Sequence, residues 1–137
     1  MPVRAIMADN DVQGHVAILA HLLLSDAWRE IWLSLNLSIW SFADLSLTAD
    51  ASDAAVWHAC QRGEVVLITG NRNKDSADSL EATLQAHNTP TSLPVLTIAD
   101  PNELINSQEY ASRVVDRLLR YLMDIDSVRG AGRLWLP

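Results

Sequence analysis

Between Gly63 and Gly70 the chain reads Glu64-Val65-Val66-Leu67-Ile68-Thr69. This apolar, β-branched run is too short for a helix and too uniform for a strand with one wet face. It predicts a strand buried on both sides, as in a parallel sheet covered by helices. Val3 to Ala8 and Pro94 to Ile98 have the same character, and Leu37 to Phe42, with Ile39, Trp40 and Phe42, is a weaker fourth run.

Helix-length segments separate these runs. Gly14 to Leu24 is apolar on nearly every side, and Ser25-Asp26 reads as the cap of a second helix over 27–35. Asp50-Ala51-Ser52-Asp53 offers caps for a helix over 54–62, which Gly63 stops. Asp78 and Glu81 have capping-box spacing for a helix to about Ala86, ended by Asn88-Thr89-Pro90. A cap at Asn106, with Glu109 three residues on, opens a long amphipathic helix with Tyr110, Val114, Leu118, Tyr121, Leu122 and Ile125 on its apolar face. Alternating strands and helices predict an α/β fold, a three-layer α/β/α sandwich around a mainly parallel sheet of about four strands with right-handed crossovers. The segment 126–137 ends in Leu134-Trp135-Leu136, too apolar for a free tail, and is expected to dock on its own domain or on a second copy.

A length of 137 residues suits one domain over 1–137, large enough for a core without disulfides. Ten Lys plus Arg against seventeen Asp plus Glu give a net charge of −7, which opposes broad electrostatic binding of nucleic acid. Without a long apolar run or a leader-like start, the expectation is a cytoplasmic protein that makes no use of a membrane. The lone Cys60, set among Val56, Trp57 and Ala59, reads as a buried, inert thiol.

In a parallel sheet the residues leaving the strands' carboxyl ends share one edge, where such folds bind ligands. Here that edge would collect Asp9, Asn10 and Asp11, then Asp44, then Asn71, Arg72 and Asn73, and finally Asp100. Clustered carboxylate and amide oxygens suit Mg²⁺ or Mn²⁺, which take few protein ligands and keep several waters. The same residue types are also ordinary helix caps and turn formers, and Asp53, Asp75 and Asp78 fit that role equally. Arg72 and Lys74 would set two cations beside the rim, where a phosphate could lie.

Other chemistries find less support. The histidines at 15, 21, 58 and 87 form no i, i+4 pair for zinc, although His15 follows the acidic triplet closely. Ser79 lacks a nucleophile elbow, and Gly70-Asn71-Arg72-Asn73-Lys74 has too few glycines for a phosphate loop. A phosphoryl-accepting receiver domain would suit Asp9-Asn10-Asp11, but no later strand ends at a Lys.

Asp9 after the first strand, Ser52-Asp53 opening a helix, and the run from Gly63 through Thr69 to Gly70-Asn71-Arg72-Asn73 together resemble the PIN-like domains, notably small bacterial proteins related to the Mut7 carboxy-terminal domain. The resemblance covers about residues 3–100. It implies a three-layer sandwich with an acidic metal site at the strand ends and, in active members, metal-dependent ribonuclease chemistry. Asp9 and Asp53 then match the family's acidic positions as metal ligands and catalytic residues, with Asp78 as a further catalytic candidate. Asn71 and Asn73 stand where those proteins commonly carry Asp. An amide oxygen can ligate a cation but brings no charge, so each Asn weakens a Mg²⁺ site and removes a possible base. In this reading Asn10, Asn71, Arg72, Asn73 and Lys74 contact substrate. Single-stranded RNA, a second copy of the chain and a partner protein of antitoxin type are the partners to consider. The alternative is a non-catalytic binding or regulatory module that forms a homodimer.

Overall fold

The structure is a computed structural model that describes residues 2–70 and 79–137. Its centre is a five-stranded, all-parallel sheet of β1 (Ala5–Ala8), β2 (Ser38–Trp40), β3 (Val65–Thr69), β4 (Val95–Ile98) and β5 (Arg133–Leu136), in the order β2-β1-β3-β4-β5. Around it lie α1 (Gln13–Leu23), α2 (Arg29–Ser34), α3 (Asp53–Gly63), α4 (Leu80–His87), α5 (Pro101–Asn106) and α6 (Gln108–Met123).

The strands sort their side chains with period two. Ile6, Val66, Ile68, Leu96 and Ile98 pack with α1, α5 and α6 on one face, whereas Ala5, Met7, Val65, Leu67 and Val95 pack with α3 and α4 on the other. Every residue of β3 is buried, as its uniform composition requires. The sheet is thus the middle layer of an α/β/α sandwich.

The fifth strand is where the expectation of about four strands falls short. The apolar tail enters the sheet beside β4, in register from Val95 and Arg133 to Ile98 and Leu136. Two tyrosines of α6 fasten it: the Tyr121 hydroxyl donates to the Trp135 carbonyl, and the Tyr110 hydroxyl to the carbonyls of Leu136 and Pro137. Tyr110 Oη also accepts from the Asp100 amide, so one side chain ties the ends of β4 and β5 together. Of the two destinations open to the tail, its own domain receives it.

The crossovers are not uniform in hand. Both β3 to β4 and β4 to β5 step the same way across the sheet, yet α4 covers one face and α5 with α6 the other. The last connection is therefore opposite in hand to the one before it, against a strong preference of βαβ units. The physical gain is coverage. Without α6, whose Val114, Val115, Leu118 and Leu119 are fully buried, the α1 face of β3 and β4 would be bare.

Three caps differ from expectation. Ser25 and Asp26 do not cap α2, which starts at Arg29 with Trp28 at its N-cap and no side-chain bond there. Ser79, not Asp78, caps α4 by accepting from the Ala82 amide, and Glu81 pairs instead with Arg133 of β5. Asn106 ends α5, an unexpected helix, and Ser107 caps α6. No helix among the described residues is long and apolar enough to cross a membrane.

Candidate functional site

In the order β2-β1-β3-β4-β5 the chain first steps from β1 to β2 and then back across β1 to β3. The crevice beyond the carboxyl ends of β1 and β3 is the switch point where doubly wound sheets bind ligands. It is occupied by acids.

Asp9 follows β1 directly, and its amide continues the ladder by donating to the Ile68 carbonyl, 2.8 Å away. The residue is 9% exposed. Oδ1 accepts from the Asn10 amide at 2.8 Å, capping the 3-10 turn Asn10–Val12, and Oδ2 accepts from the Thr69 hydroxyl at 2.9 Å. That turn buries Val12 and swings Asp11 back over the end of β3. There Asp11 Oδ2 accepts from the Gly70 amide at 3.1 Å, and Oδ1 lies 3.4 Å from the same Thr69 hydroxyl. Two carboxylates thus share one hydroxyl hydrogen. Gly70 is required by closeness: a Cβ there would lie 3.0 Å from Asp11 Oδ2 and 3.2 Å from Val12 Cγ1.

Asp53 arrives from the other side. Ser52 caps α3, which puts Asp53 at its first position, where the helix dipole favours an anion. Its Oδ2 accepts from the Leu80 amide at 3.1 Å, so one carboxylate serves the N-termini of both α3 and α4. Asp9, Asn10, Asp11, Ala51 and Asp53 line a cleft of about 360 Å³.

The electrostatics follow from this packing. Burial raises the pKa of Asp9, the bonds from Thr69 and Asn10 oppose the rise, and the charges of Asp11 and Asp53 add to it. Asp11 is also raised, chiefly by burial and further by Asp53, against the bonds from Gly70 and Thr69. Cys60, beneath the cleft, is pushed up to about 12 by burial and by the charge of Asp9, which keeps it an inert thiol.

The expected site residues fare differently. Asp9 and Asp53 meet in the cleft as expected. Asn10 lines it too, but its side-chain amide is engaged by the Ala49 carbonyl at 2.6 Å and by Gln13, so it braces the 46–52 loop. Asp44 is a capping-box partner of Ser41, and Asp100 caps α5. Neither lines the cleft, nor does His15. Asn71, Arg72, Asn73, Lys74, Asp75 and Asp78 lie outside the described residues. Absent from the ligands expected from sequence are Asp11 and Thr69. The signal was there: a 3-10 turn after β1 returns the second residue past Asp9 toward the same edge.

Comparison with protein-family models, with curated proteins and with solved structures returns no match.

Among the described residues no group of three His, Cys, Asp or Glu side chains is closed into a metal-ligating shell. The cleft's donor set is nonetheless of the hard-oxygen kind, with two carboxylates whose anionic forms are held above their usual energy by burial and by neighbouring carboxylates. An open site that supplies few protein oxygens and leaves water in the remaining positions is the kind Mg²⁺ and Mn²⁺ accept.

Proposed function

We propose that this protein is a divalent-metal-dependent phosphodiesterase of PIN-like type, acting on single-stranded RNA, with Asp9, Asp11 and Asp53 around its reaction centre. The observation that carries the reading is the convergence of these carboxylates in one cleft at the switch point of the sheet, with Asp9 and Asp11 both raised in pKa. A bound Mg²⁺ or Mn²⁺ would supply an activated water and a Lewis acid for the phosphate oxygens.

The chain's own part is positional. Asp9 and Asp11 would hold the cation, and the Thr69 hydroxyl and Gly70 amide fix how their oxygens point. Asp53 faces them with a carboxylate anchored on the Leu80 amide, suited to orient a water rather than to move far. Asn71, Arg72, Asn73 and Lys74 follow Gly70, whose amide donates to Asp11, so two cations follow directly on the acidic centre in sequence. They would offset the net charge of −7 where a phosphate backbone has to approach. Mn²⁺-dependent cleavage of single-stranded RNA, lost in Asp9→Asn and Asp11→Asn, is the expected result; neither metal binding nor cleavage in the parent protein would end the proposal.

A second reading, a non-catalytic module that self-associates, is favoured by one observation. The groove of about 630 Å³ between α1, α5 and α6 is lined by residues such as Ala17, Ile18, Leu104 and Ile105 and by no Asp, Glu, Lys or Arg. Light scattering on the parent and on Ile105→Lys distinguishes it. A dimer that the substitution converts to monomer supports self-association through this face, and a parent monomer removes it.

The receiver-domain reading loses ground. The strands of the sheet end at Ala8, Trp40, Thr69, Ile98 and Leu136, and none of them runs into a Lys among the described residues.

A further inference from the structure

The outward face of α6 carries three exposed arginines, Arg113, Arg117 and Arg120. Arg120 is committed to the helix itself, where it pairs with Asp116 at 2.8 Å. The other two are held differently. The Arg113 guanidinium lies over the Tyr110 ring, 5.4 Å from its centroid, and that of Arg117 over the Tyr121 ring, at 5.9 Å. Among the described residues neither forms an ion pair or a hydrogen bond. In a chain of net charge −7 that is unusual, since Arg29, Arg120, Arg129 and Arg133 each meet a carboxylate.

We propose that Arg113 and Arg117 hold the phosphate backbone of a single-stranded RNA; the inference rests on the RNA-cleaving reading of the cleft and adds a second contact surface to it. A guanidinium stacked on an aromatic ring engages through its face. Its N–H donors lie in the plane and stay available to phosphate oxygens. The rings also restrict the rotamers that each arginine would otherwise give up on binding. Residues four apart on a helix are about 6 Å apart along its axis, a step comparable with that between phosphates of an extended strand.

The placement suits a strand that also crosses the cleft. Tyr110 ties this surface to the edge on which the cleft opens, since its hydroxyl accepts from the Asp100 amide just beyond β4. β5 lies two strands from β3, about 10 Å at the usual strand spacing, so RNA running from the cleft toward β5 comes onto α6 within a few nucleotides. Tyr121 donates to the Trp135 carbonyl, and Trp135, 44% exposed on the edge strand, adds an aromatic surface for a base. That neighbour favours RNA over an acidic peptide, which would engage the arginines alone.

The test is fluorescence anisotropy of a labelled oligouridylate with the parent protein and with Arg113→Gln/Arg117→Gln, in chelator so that nothing is cleaved. Each phosphate contact on a single strand contributes about 0.7 to the slope of log affinity against log salt, so the double variant should lose about 1.4 of slope. Its deficit relative to the parent should therefore shrink about sevenfold between about 50 and 200 mM salt. Both side chains are exposed, and matching melting temperatures check that the fold is kept. Arg113→Lys/Arg117→Lys, which keeps the charge, should keep the slope. Equal slopes in the parent and the Gln variant, or no RNA binding by the parent, would overturn the proposal, as would polyglutamate binding this surface in preference to RNA. Cleavage of the same oligonucleotide in Mn²⁺ separates the two readings: cleavage with equal slopes removes only the α6 surface, and a slope difference without cleavage removes only the nuclease.

Discussion

Asp9→Asn should do opposite things to the protein with and without a divalent cation. In the absence of metal, the wild-type cleft holds two carboxylates bridged by one Thr69 hydroxyl, at 2.9 Å from Asp9 and 3.4 Å from Asp11. At a separation of about 6 Å and an effective dielectric constant of about 20, two unit charges repel by roughly 3 kcal/mol. Asp11 is partly open to solvent, and screening reduces the usable figure to about 1 kcal/mol. The substitution removes that repulsion at little cost. Asn caps a helical turn as well as Asp, so the bond from the Asn10 amide survives. The Thr69 hydroxyl can turn its hydrogen to Asp11 and accept from the new side-chain amide. Asp9→Asn should therefore raise the melting temperature in chelator by about 3–4 °C, the shift that about 1 kcal/mol produces in a domain of this size.

With Mn²⁺ present the order changes. A cation that binds only the folded wild type at ten times its dissociation constant adds about 1.4 kcal/mol, and it cancels the repulsion that the mutant merely deletes. The wild type should then match or exceed the mutant, with Mn²⁺ moving the mutant little. Thermal unfolding of both proteins, in chelator and in Mn²⁺, tests all of this in four measurements. If Asp9→Asn melts below the wild type in chelator and Mn²⁺ moves neither, Asp9 is a structural cap and the cleft is not a cation site.

The same carboxylates fix a pH dependence. Asp9 and Asp11 are raised in the folded state, so the native protein holds protons that the unfolded chain has released, and metal-free stability falls as pH rises from about 3.8 through their raised values; urea unfolding across that window should show a slope that Asp9→Asn flattens. Gly70→Ala places a methyl 3.0 Å from Asp11 Oδ2, and should cut any metal-dependent activity more than it cuts stability, as paired activity and melting measurements would show. Arg129→Met should cost about 1–3 kcal/mol in urea unfolding, because it strands Glu64, itself 16% exposed, and breaks the bond to the Thr91 carbonyl; an unchanged midpoint would mean that water satisfies Glu64. Deleting 130–137 removes β5 with its fully buried Leu136 and leaves Tyr110 without its acceptors, so the truncated chain should lose cooperative unfolding; a cooperative, native-like melt would contradict the strand's structural role.

What the sequence made legible was whatever rests on local pattern. Uniform apolar runs marked β1, β3 and β4, and the cap at Ser52 opened α3, but the helix ends one residue later than expected, because Glu64 and not Gly63 takes the left-handed conformation. The tail resisted because Arg133-Leu134-Trp135-Leu136 is short and preceded by two glycines, and only the long-range bonds from Tyr110 and Tyr121 make it a strand. Asp100 was expected only as a strand-end residue, but an N-cap followed by proline at the first helical position is also how a helix begins, and α5 begins that way.

The site divides along the same line. Asp9 and Asp11 could both be set on the strand-end edge from sequence, but Thr69, and its contact with Asp11, enter only once the strand order is known, because the two meet across β1 and β3, 58 residues apart. That order also explains how Asp9 tolerates burial without a guanidinium among the described partners of its carboxylate. At the switch point the chain leaves β1 and β3 toward opposite layers, so the amides of Asn10 and Gly70 at the first turns beyond the two strands are free to donate to Asp9 and Asp11. Those two amides and one hydroxyl offset part of the burial cost without neutralising it, and both carboxylates stay raised. Elsewhere in the fold a guanidinium meets the half-buried acid, as Arg129 and Arg133 meet Glu64 and Glu81. On the proposed reading, a cation held by Asp9 and Asp11 would offset the burial that keeps both carboxylates raised.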